Sequence, residues 1–202
     1  TLDRSSAASD VYKRQVHGRC LRRGAAAVSK PSVRRQAART VLLVGEGDAE
    51  VVFMQHLKAL YVQRGSGVAV TIKNARGKGA SHVVDFARRQ SINAAYDVVA
   101  ALLDTDTDWN DKTRAAARKA RVHTVRSEPC LEAVLLCVHR VPVEGRTPVQ
   151  LKHDFAARFG VAASDSGVSR HFPREVVDAA KDRVEVVRAL VQLLTSAEYQ
   201  PR

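Results

Sequence analysis

TVLLVGEGDAE (residues 40–50) and DVVAALLDTDTD (residues 97–108) are the two stretches that decide the fold. Each begins with an apolar run that does not alternate with polar residues, and each ends at carboxylates. This pattern is typical of a strand buried on both faces of a parallel sheet. Because ligand sites in open α/β sheets lie at the carboxyl ends of the strands, we expect Glu46, Asp104 and Asp106 to meet at one edge.

Helical patterns separate these apolar runs from two further strands. We predict four strands, at residues 41–44, 68–72, 97–103 and 121–125, with the run at 97–103 in the centre of the sheet. We predict helices over residues 48–61, 81–95, 109–120 and 130–138, a short helix ending at Phe159, and a long helix over residues 173–197. The alternation predicts an α/β fold of three layers, α/β/α, with a mostly parallel four-stranded sheet and additional C-terminal helices.

The basic residues are concentrated at the start of the chain. Residues 1–40 contain ten of the 33 Lys and Arg residues but two of the 21 Asp and Glu residues, so this segment accounts for most of the net charge of +12. We interpret residues 1–38, which lack an apolar period, as a basic leader that is disordered or foreign to the native chain. The alternative is a nucleic-acid-binding arm. Residues 39–140 are then the α/β domain, and residues 141–202 a helical extension.

The composition argues against a membrane-spanning, secreted or disulfide-rich protein. No apolar run reaches the roughly 18 residues that a membrane helix needs, and no signal peptide is recognisable. Cys20, Cys130 and Cys137 are odd in number and lack CxxC spacing, which argues against a disulfide framework and a zinc site. We therefore predict a cytoplasmic protein without a membrane association. A helix N-terminus can lower the pKa of Cys130, but no His and carboxylate pattern supports a cysteine nucleophile.

Several residues at predicted helix ends are assigned structural roles. Asp48 and Asp108 are expected to cap the helices that follow them, and Glu50 is expected to lie in solvent. His139 is expected to end its helix rather than bind a metal. Trp109 is expected to pack against the protein rather than stack on a base.

The acidic residues at the strand ends predict a metal site. Carboxylates gathered at one edge repel each other unless a cation lies among them. Mg²⁺, with Mn²⁺ as a substitute, suits such a site because it binds oxygen and usually takes one or two protein carboxylates plus water. We predict Asp104 and Asp106 as ligands, and Glu46 as a further ligand or as a group that moves a proton. The alternative is an Asp-rich turn that caps the next helix.

Basic residues near this edge predict a polyanionic substrate. NARGKGASH (residues 74–82) places glycines beside Arg76 and Lys78 before a helix, a pattern that could cradle a phosphate. It lacks the spacing of a Walker A motif, and an ordinary strand-to-helix loop is the alternative. Lys112 and Arg114 lie on the next helix. We predict all four as nucleic-acid contacts, beside a metal that would serve phosphodiester hydrolysis.

The same residues resemble a known family. A strand followed by Glu46, and a later strand followed by Asp104 and Asp106, resemble the two signatures of the Toprim domain. This domain is shared by topoisomerases, primases, recombination proteins and the overcoming-lysogenization-defect nucleases. GEGDAEVVF (residues 45–53) resembles the opening of the RloB-like branch, and RSEPCLEAVLLCVH (residues 126–139) resembles its SxPxFE motif. The resemblance covers about half of the chain.

The resemblance implies a Toprim-like domain in which Glu46 is the general acid or base, Asp104 and Asp106 hold Mg²⁺, and Glu132 is an additional catalytic acid. RloB-like proteins are linked with restriction loci and phage defence, often beside an ATPase. The implied function is a Mg²⁺-dependent phosphodiesterase, an endonuclease or nuclease subunit acting on DNA or RNA. The alternative is a non-catalytic subunit that senses nucleic acid or a nucleotide with a partner ATPase. A phosphoacceptor receiver domain is a third class, which the lack of a lysine after a late strand disfavours.

Overall fold

Four parallel strands form the centre of the protein. The computed structural model describes residues 37–105 and 108–196. The strands are β1 (Arg39–Gly45), β2 (Val68–Asn74), β3 (Val98–Asp104) and β4 (His123–Ser127). Their order across the sheet is β2-β1-β3-β4, and every neighbouring pair is parallel. The central position predicted for β3 is confirmed, since β1 and β4 flank it.

Helices cover both faces of this sheet. The three that connect the strands are α1 (Asp48–Tyr61), α2 (Gly79–Asn93) and α3 (Asp111–Lys119). Those after β4 are α4 (Leu131–Val138), α5 (Pro148–Phe159), a 3-10 helix (Ser166–His171), α6 (Arg174–Ala180) and α7 (Glu185–Thr195). The predicted three-layer α/β/α architecture is therefore confirmed. Among the described residues, no helix combines the length and the apolar character needed to cross a membrane.

Alternate side chains of the interior strands enter two separate cores. Val41 and Leu43 of β1 pack with α1 and with the helices that follow β4, whereas Leu42 and Val44 pack with α2 and α3. All four side chains are at most 1% exposed. Successive Cβ atoms of a strand point to opposite faces, so a strand covered on both faces is apolar at every position. This is the physical reason for the unbroken apolar run.

The connections after β1 and β3 leave the sheet on opposite faces. Helix α1 packs on the face of Val41, whereas α3 packs on the face of Leu42. Because β1 and β3 are adjacent, the loops at their carboxyl ends diverge between the two strands. Ligands of open α/β sheets bind at such a topological switch point.

The single helix predicted over residues 173–197 is wrong, because a turn at residues 181–184 separates α6 from α7. The Val184 N–H still donates to the Ala180 carbonyl at 2.9 Å. The Val184 backbone is then extended, with φ −112° and ψ 100°, and begins α7. Neither Gly nor Pro marks this turn, and the apolar spacing is helical on both sides of it. The break was therefore invisible in the local pattern.

Phe172 joins the C-terminal helices to the core beside the sheet. Its fully buried ring lies edge-on to Phe53 of α1, with ring centroids 6.2 Å apart, and 5.0 Å from the ring of His139. His139 is the C-cap residue of α4, as expected, and its Nε2 lies 2.9 Å from the His171 carbonyl oxygen. His56 Nε2 lies 2.6 Å from the Phe172 carbonyl oxygen. The helices after β4 and α1 therefore share one hydrophobic core.

Phe172→Ala is expected to lower the free energy of unfolding by about 3–5 kcal/mol, because it empties a buried aromatic site. Urea denaturation followed by circular dichroism measures this change. Val149→Ala in α5 is the control, since Val149 is 78% exposed, and its effect should stay within about 0.5 kcal/mol. Equal effects of the two substitutions would show that the C-terminal helices do not share the core of α1.

Candidate functional site

The carboxyl ends of β1 and β3 bring Glu46 and Asp104 together. The Glu46 carboxylate oxygen Oε2 accepts a hydrogen bond from the Asp104 backbone N–H at 3.2 Å, across 58 residues of chain. The Glu46 N–H donates to the Leu102 carbonyl at 3.2 Å. These two bonds hold Glu46 at the end of β3. Asp106 lies outside the described residues, so its place at this edge remains a prediction.

Glu132 reaches the same edge from the first turn of α4, where it is 8% exposed. Cys130, the N-cap residue of this helix, is fully buried beside Glu132. Burial raises the pKa of Cys130 to about 12, and the charges of Glu132 and Asp104 act in the same direction. The expected effect of the helix N-terminus on this thiol is therefore outweighed, and the thiol stays protonated near neutral pH.

Glu50 also lies at this edge, so the expectation that it lies in solvent is wrong. Glu50 is 5% exposed, and its side chain turns back along α1 to accept a hydrogen bond from the Gly47 N–H at 2.7 Å. Gly47, rather than Asp48, is the N-cap residue of α1. Asp48 instead accepts a hydrogen bond from Asn74 Nδ2 at 2.6 Å. The spacing of a carboxylate three residues after the N-cap was the local signal for this arrangement.

The carboxylates at this edge affect one another electrostatically. Burial raises the pKa of Glu50, and the negative charges of Glu132 and Glu46 raise it further, against hydrogen bonds from backbone N–H groups that lower it. Glu50 and Glu132 each lie in the first turn of a helix, where the helix dipole favours a negative charge. The result is an acidic edge, formed by Glu46, Glu50, Asp104 and Glu132, at which burial and neighbouring negative charges oppose ionisation of Glu50.

Ser127 adds a buried hydroxyl group beside Asp104. It ends β4 in register with Asp104, so the two side chains project to the same face of the sheet. Ser127 is 0% exposed, and its Oγ has no hydrogen-bond partner within residues 37–105 and 108–196. A buried polar group without a partner costs about 1–3 kcal/mol. A polar ligand at the acidic edge would offset this cost.

The chemistry of these donors fits Mg²⁺. Carboxylate and hydroxyl oxygens are the hard ligands that this ion prefers, and it commonly takes one or two carboxylates and keeps several waters. In the described part of the chain, no group of three or more His, Cys, Asp or Glu side chains could hold a metal ion by itself. A site here would therefore depend on a small set of carboxylates that includes Asp104, with water in the remaining positions.

Arg76 and Lys78 lie in the loop beside Glu46. The Gly77 N–H donates to the Glu46 carbonyl at 2.7 Å, which holds this loop at the carboxyl edge of the sheet. The side chains of Arg76 and Lys78 are exposed. Lys78 is the N-cap residue of α2 and has a left-handed backbone with φ 76°. Both predicted basic contacts therefore flank the acidic edge.

The N-terminus of α2 already carries a carboxylate of the protein. Asp108 Oδ2 accepts the Ser81 N–H at 3.1 Å, and a Cβ atom on Gly79 would lie 2.7 Å from Asp108 Oδ1. The expectation that Asp108 caps the helix after it is wrong, because Asn110 is the N-cap of α3 and accepts the Thr113 N–H at 3.1 Å. A phosphate bound by the start of α2 would have to displace this carboxylate.

Lys112 and Arg114 lie farther from the acidic side chains. They belong to α3, which packs with α2 on the face of the sheet opposite α1 and α4. Arg114 forms an ion pair with Asp111. Trp109 packs against the core of this face, as expected. The structure thus places two of the predicted basic contacts beside Glu46 and two on the outer helix.

Comparison of the chain with protein-family models, curated proteins and solved structures finds no match. A functional proposal therefore depends on the residues at the acidic edge. Glu50 and Ser127 belong to this edge but were not among the sites predicted from the sequence. Their burial results from packing by helices and strands that are distant in the chain.

Glu50→Gln is expected to raise the free energy of unfolding at neutral pH, because it removes a charge whose burial opposes folding. Folding raises the pKa of Glu50 above its ordinary value of 4.5. The protonated carboxyl therefore stabilises the folded state below pH 4.5, and this stabilisation is lost as the pH rises through the folded-state pKa. The difference between variant and parent should therefore vanish at acid pH and grow toward neutral pH.

Urea denaturation at several values between about pH 4 and pH 8 measures this dependence. Glu175→Gln, at an exposed position of α6, is the matched control and should show a difference that does not change with pH. A Glu50→Gln variant that is less stable than the parent at neutral pH would show that the fold favours the charged form.

Proposed function

We propose that this protein is a Mg²⁺-dependent phosphodiesterase that hydrolyses nucleic acid, as a Toprim-type endonuclease or nuclease subunit. The observation that carries this proposal is the hydrogen bond between the Glu46 carboxylate and the Asp104 N–H, 3.2 Å long, at the carboxyl ends of β1 and β3. Glu50 and Glu132, in the first turns of two further helices, add to the support because they concentrate negative charge there.

Asp104 and Asp106 are the proposed Mg²⁺ ligands, with Glu46 as a further ligand or as the residue that transfers a proton. When bound, Mg²⁺ or Mn²⁺ would activate a water molecule and neutralise charge on a phosphodiester. The buried hydroxyl of Ser127 supports a polar occupant of this edge. The oxygen-only donor set favours these hard cations over zinc.

Glu46 and Glu132 are the proposed proton-transfer groups. The Asp104 N–H positions the carboxylate of Glu46, which is suited to act as general acid or base toward water or a leaving oxygen. Glu132 is the additional acid of the proposal.

A polyanionic substrate would be held by the basic residues around this edge. Arg76 and Lys78 are exposed beside Glu46, and Lys112 and Arg114 extend the positive surface along α3. Such residues bind phosphates without reading the base sequence. The resemblance to RloB-like proteins supports a cytoplasmic role in restriction or phage defence, with an ATPase as partner. The same residues would serve the second candidate function, sensing of nucleic acid or a nucleotide without cleavage.

Glu46→Gln and Asp104→Asn are each expected to lower the rate of nucleic-acid cleavage by roughly 10²–10⁴-fold, because each removes one acidic group at the proposed reaction centre. Cleavage of end-labelled DNA and RNA with Mg²⁺ or Mn²⁺ measures this rate. Glu175→Gln and Asp182→Asn change the same residue types at exposed positions and should cleave like the parent.

The outcomes separate the two candidate functions. Cleavage that survives in both Glu46→Gln and Asp104→Asn would contradict the proposed catalytic site. Binding of nucleic acid by the parent with no cleavage in either metal would favour the sensing role. Binding should then weaken on Arg76→Ala and Lys78→Ala, whereas Arg64→Ala, in an exposed loop, should have no effect.

A further inference from the structure

The lateral edge of β4 borders a long groove that the proposed catalytic residues do not use. Strand β4 has five residues and pairs with β3 on one side. On its other side, no strand pairs with it in the described part of the chain. The groove along this edge has a volume of about 1340 Å³. This exceeds the roughly 300–1,000 Å³ of pockets that hold small molecules, so its size favours a polymer.

The walls of the groove are the two helical layers that would cover a fifth strand beside β4. Ala117 of α3 lines one side, and Ala133 of α4 and Val186 of α7 line the other. The groove therefore continues the plane of the sheet between the two helical layers. An extended peptide placed there could pair its backbone with β4 and direct alternate side chains to the two walls.

The groove carries more basic than acidic residues, which favours an acidic peptide. Five arginines line it, namely Arg114, Arg118, Arg121, Arg126 and Arg183, against the two acids Glu128 and Glu185. Arg114 pairs with Asp111, and Arg183 donates to the carbonyls of Val138 and Ala179.

The three other arginines are the ones that favour an acidic occupant. In the described part of the chain, no carboxylate lies within ion-pair distance of Arg118, Arg121 or Arg126, and all three are exposed. The charge on the groove is thus largely uncompensated. Carboxylates of a bound chain would complement it.

We propose that the groove along β4 binds an acidic, extended segment of a partner protein, which adds to the sheet as a fifth strand. The open strand edge supplies backbone hydrogen-bonding groups, the apolar walls accept alternate side chains, and the arginines pair with carboxylates. A second copy of this chain is disfavoured, because its own groove would bring arginines against arginines. Single-stranded nucleic acid would satisfy the arginines but would leave the strand edge and apolar walls unused.

A synthetic peptide that alternates glutamate and valine, labelled with fluorescein, tests this inference with the full chain. Fluorescence anisotropy should show saturable binding, and a lysine–valine peptide should not bind. N-methylation of alternate peptide bonds keeps the charge but removes the hydrogen-bond donors on one edge, and should abolish binding. Hydrogen exchange of the β4 amides, residues 123–127, should slow when the acidic peptide binds.

Reversal of the charge on groove arginines tests whether the peptide binds in the groove. Arg118→Glu combined with Arg126→Glu should weaken binding by at least roughly tenfold, since like charges then face each other. Arg64→Glu combined with Lys73→Glu makes the same change of net charge at exposed positions outside the groove and should leave binding unchanged. Both pairs are exposed, and thermal denaturation checks that the variants are folded.

Three results would overturn the inference. One is equal weakening by both pairs of charge reversals, and another is binding without protection of the β4 amides. The third is groove-dependent binding of a labelled single-stranded oligonucleotide in place of the peptide, which would assign the groove to nucleic acid. None of these readouts requires cleavage, so they are independent of the proposed phosphodiesterase activity.

Discussion

The parallel pairing of β1 with β3 is the constraint on which the rest of the structure depends. Its register sets Gly45 opposite Leu102, which leaves Glu46 and Asp104 side by side just beyond the paired residues. A slip of one residue would turn every side chain of a strand to the other face. Asp104 would then face α2 and α3, away from Glu132, and the apolar residues of both cores would be exchanged. The burial of both strands on two faces therefore specifies the acidic edge as well as the fold.

Burial of carboxylates at the acidic edge lowers the stability of the folded state. Glu50 and Glu132 are buried near like charges, and Cys130 is held as a neutral thiol in the same environment. Hydrogen bonds from backbone N–H groups and the positive ends of two helices offset part of this cost. Buried ionisable groups with shifted pKa values cluster at functional sites.

The sheet offers two edges with different chemistry. Its carboxyl edge carries buried acids at the divergence of two connections, whereas the lateral edge of β4 carries exposed arginines between apolar helical walls. Strand β4 takes part in both, because its last residue, Ser127, lies beside Asp104 and its length borders the groove. A segment bound along β4 would therefore lie next to the proposed reaction centre without occupying it. This proximity gives a partner a direct physical route to influence the acidic edge.

Much of this architecture follows from the order of residues. Unbroken apolar runs identified the buried strands, a 3.6-residue period identified α1, and carboxylates after two strands predicted the meeting of Glu46 with Asp104. These features are local, and parallel strands bring their carboxyl ends to one edge of the sheet. The burial of Glu50, the capping of α2 by Asp108 and the turn within residues 173–197 were decided by the tertiary structure alone. Each depends on which distant segment packs against the residue, and a local pattern carries no information about that neighbour.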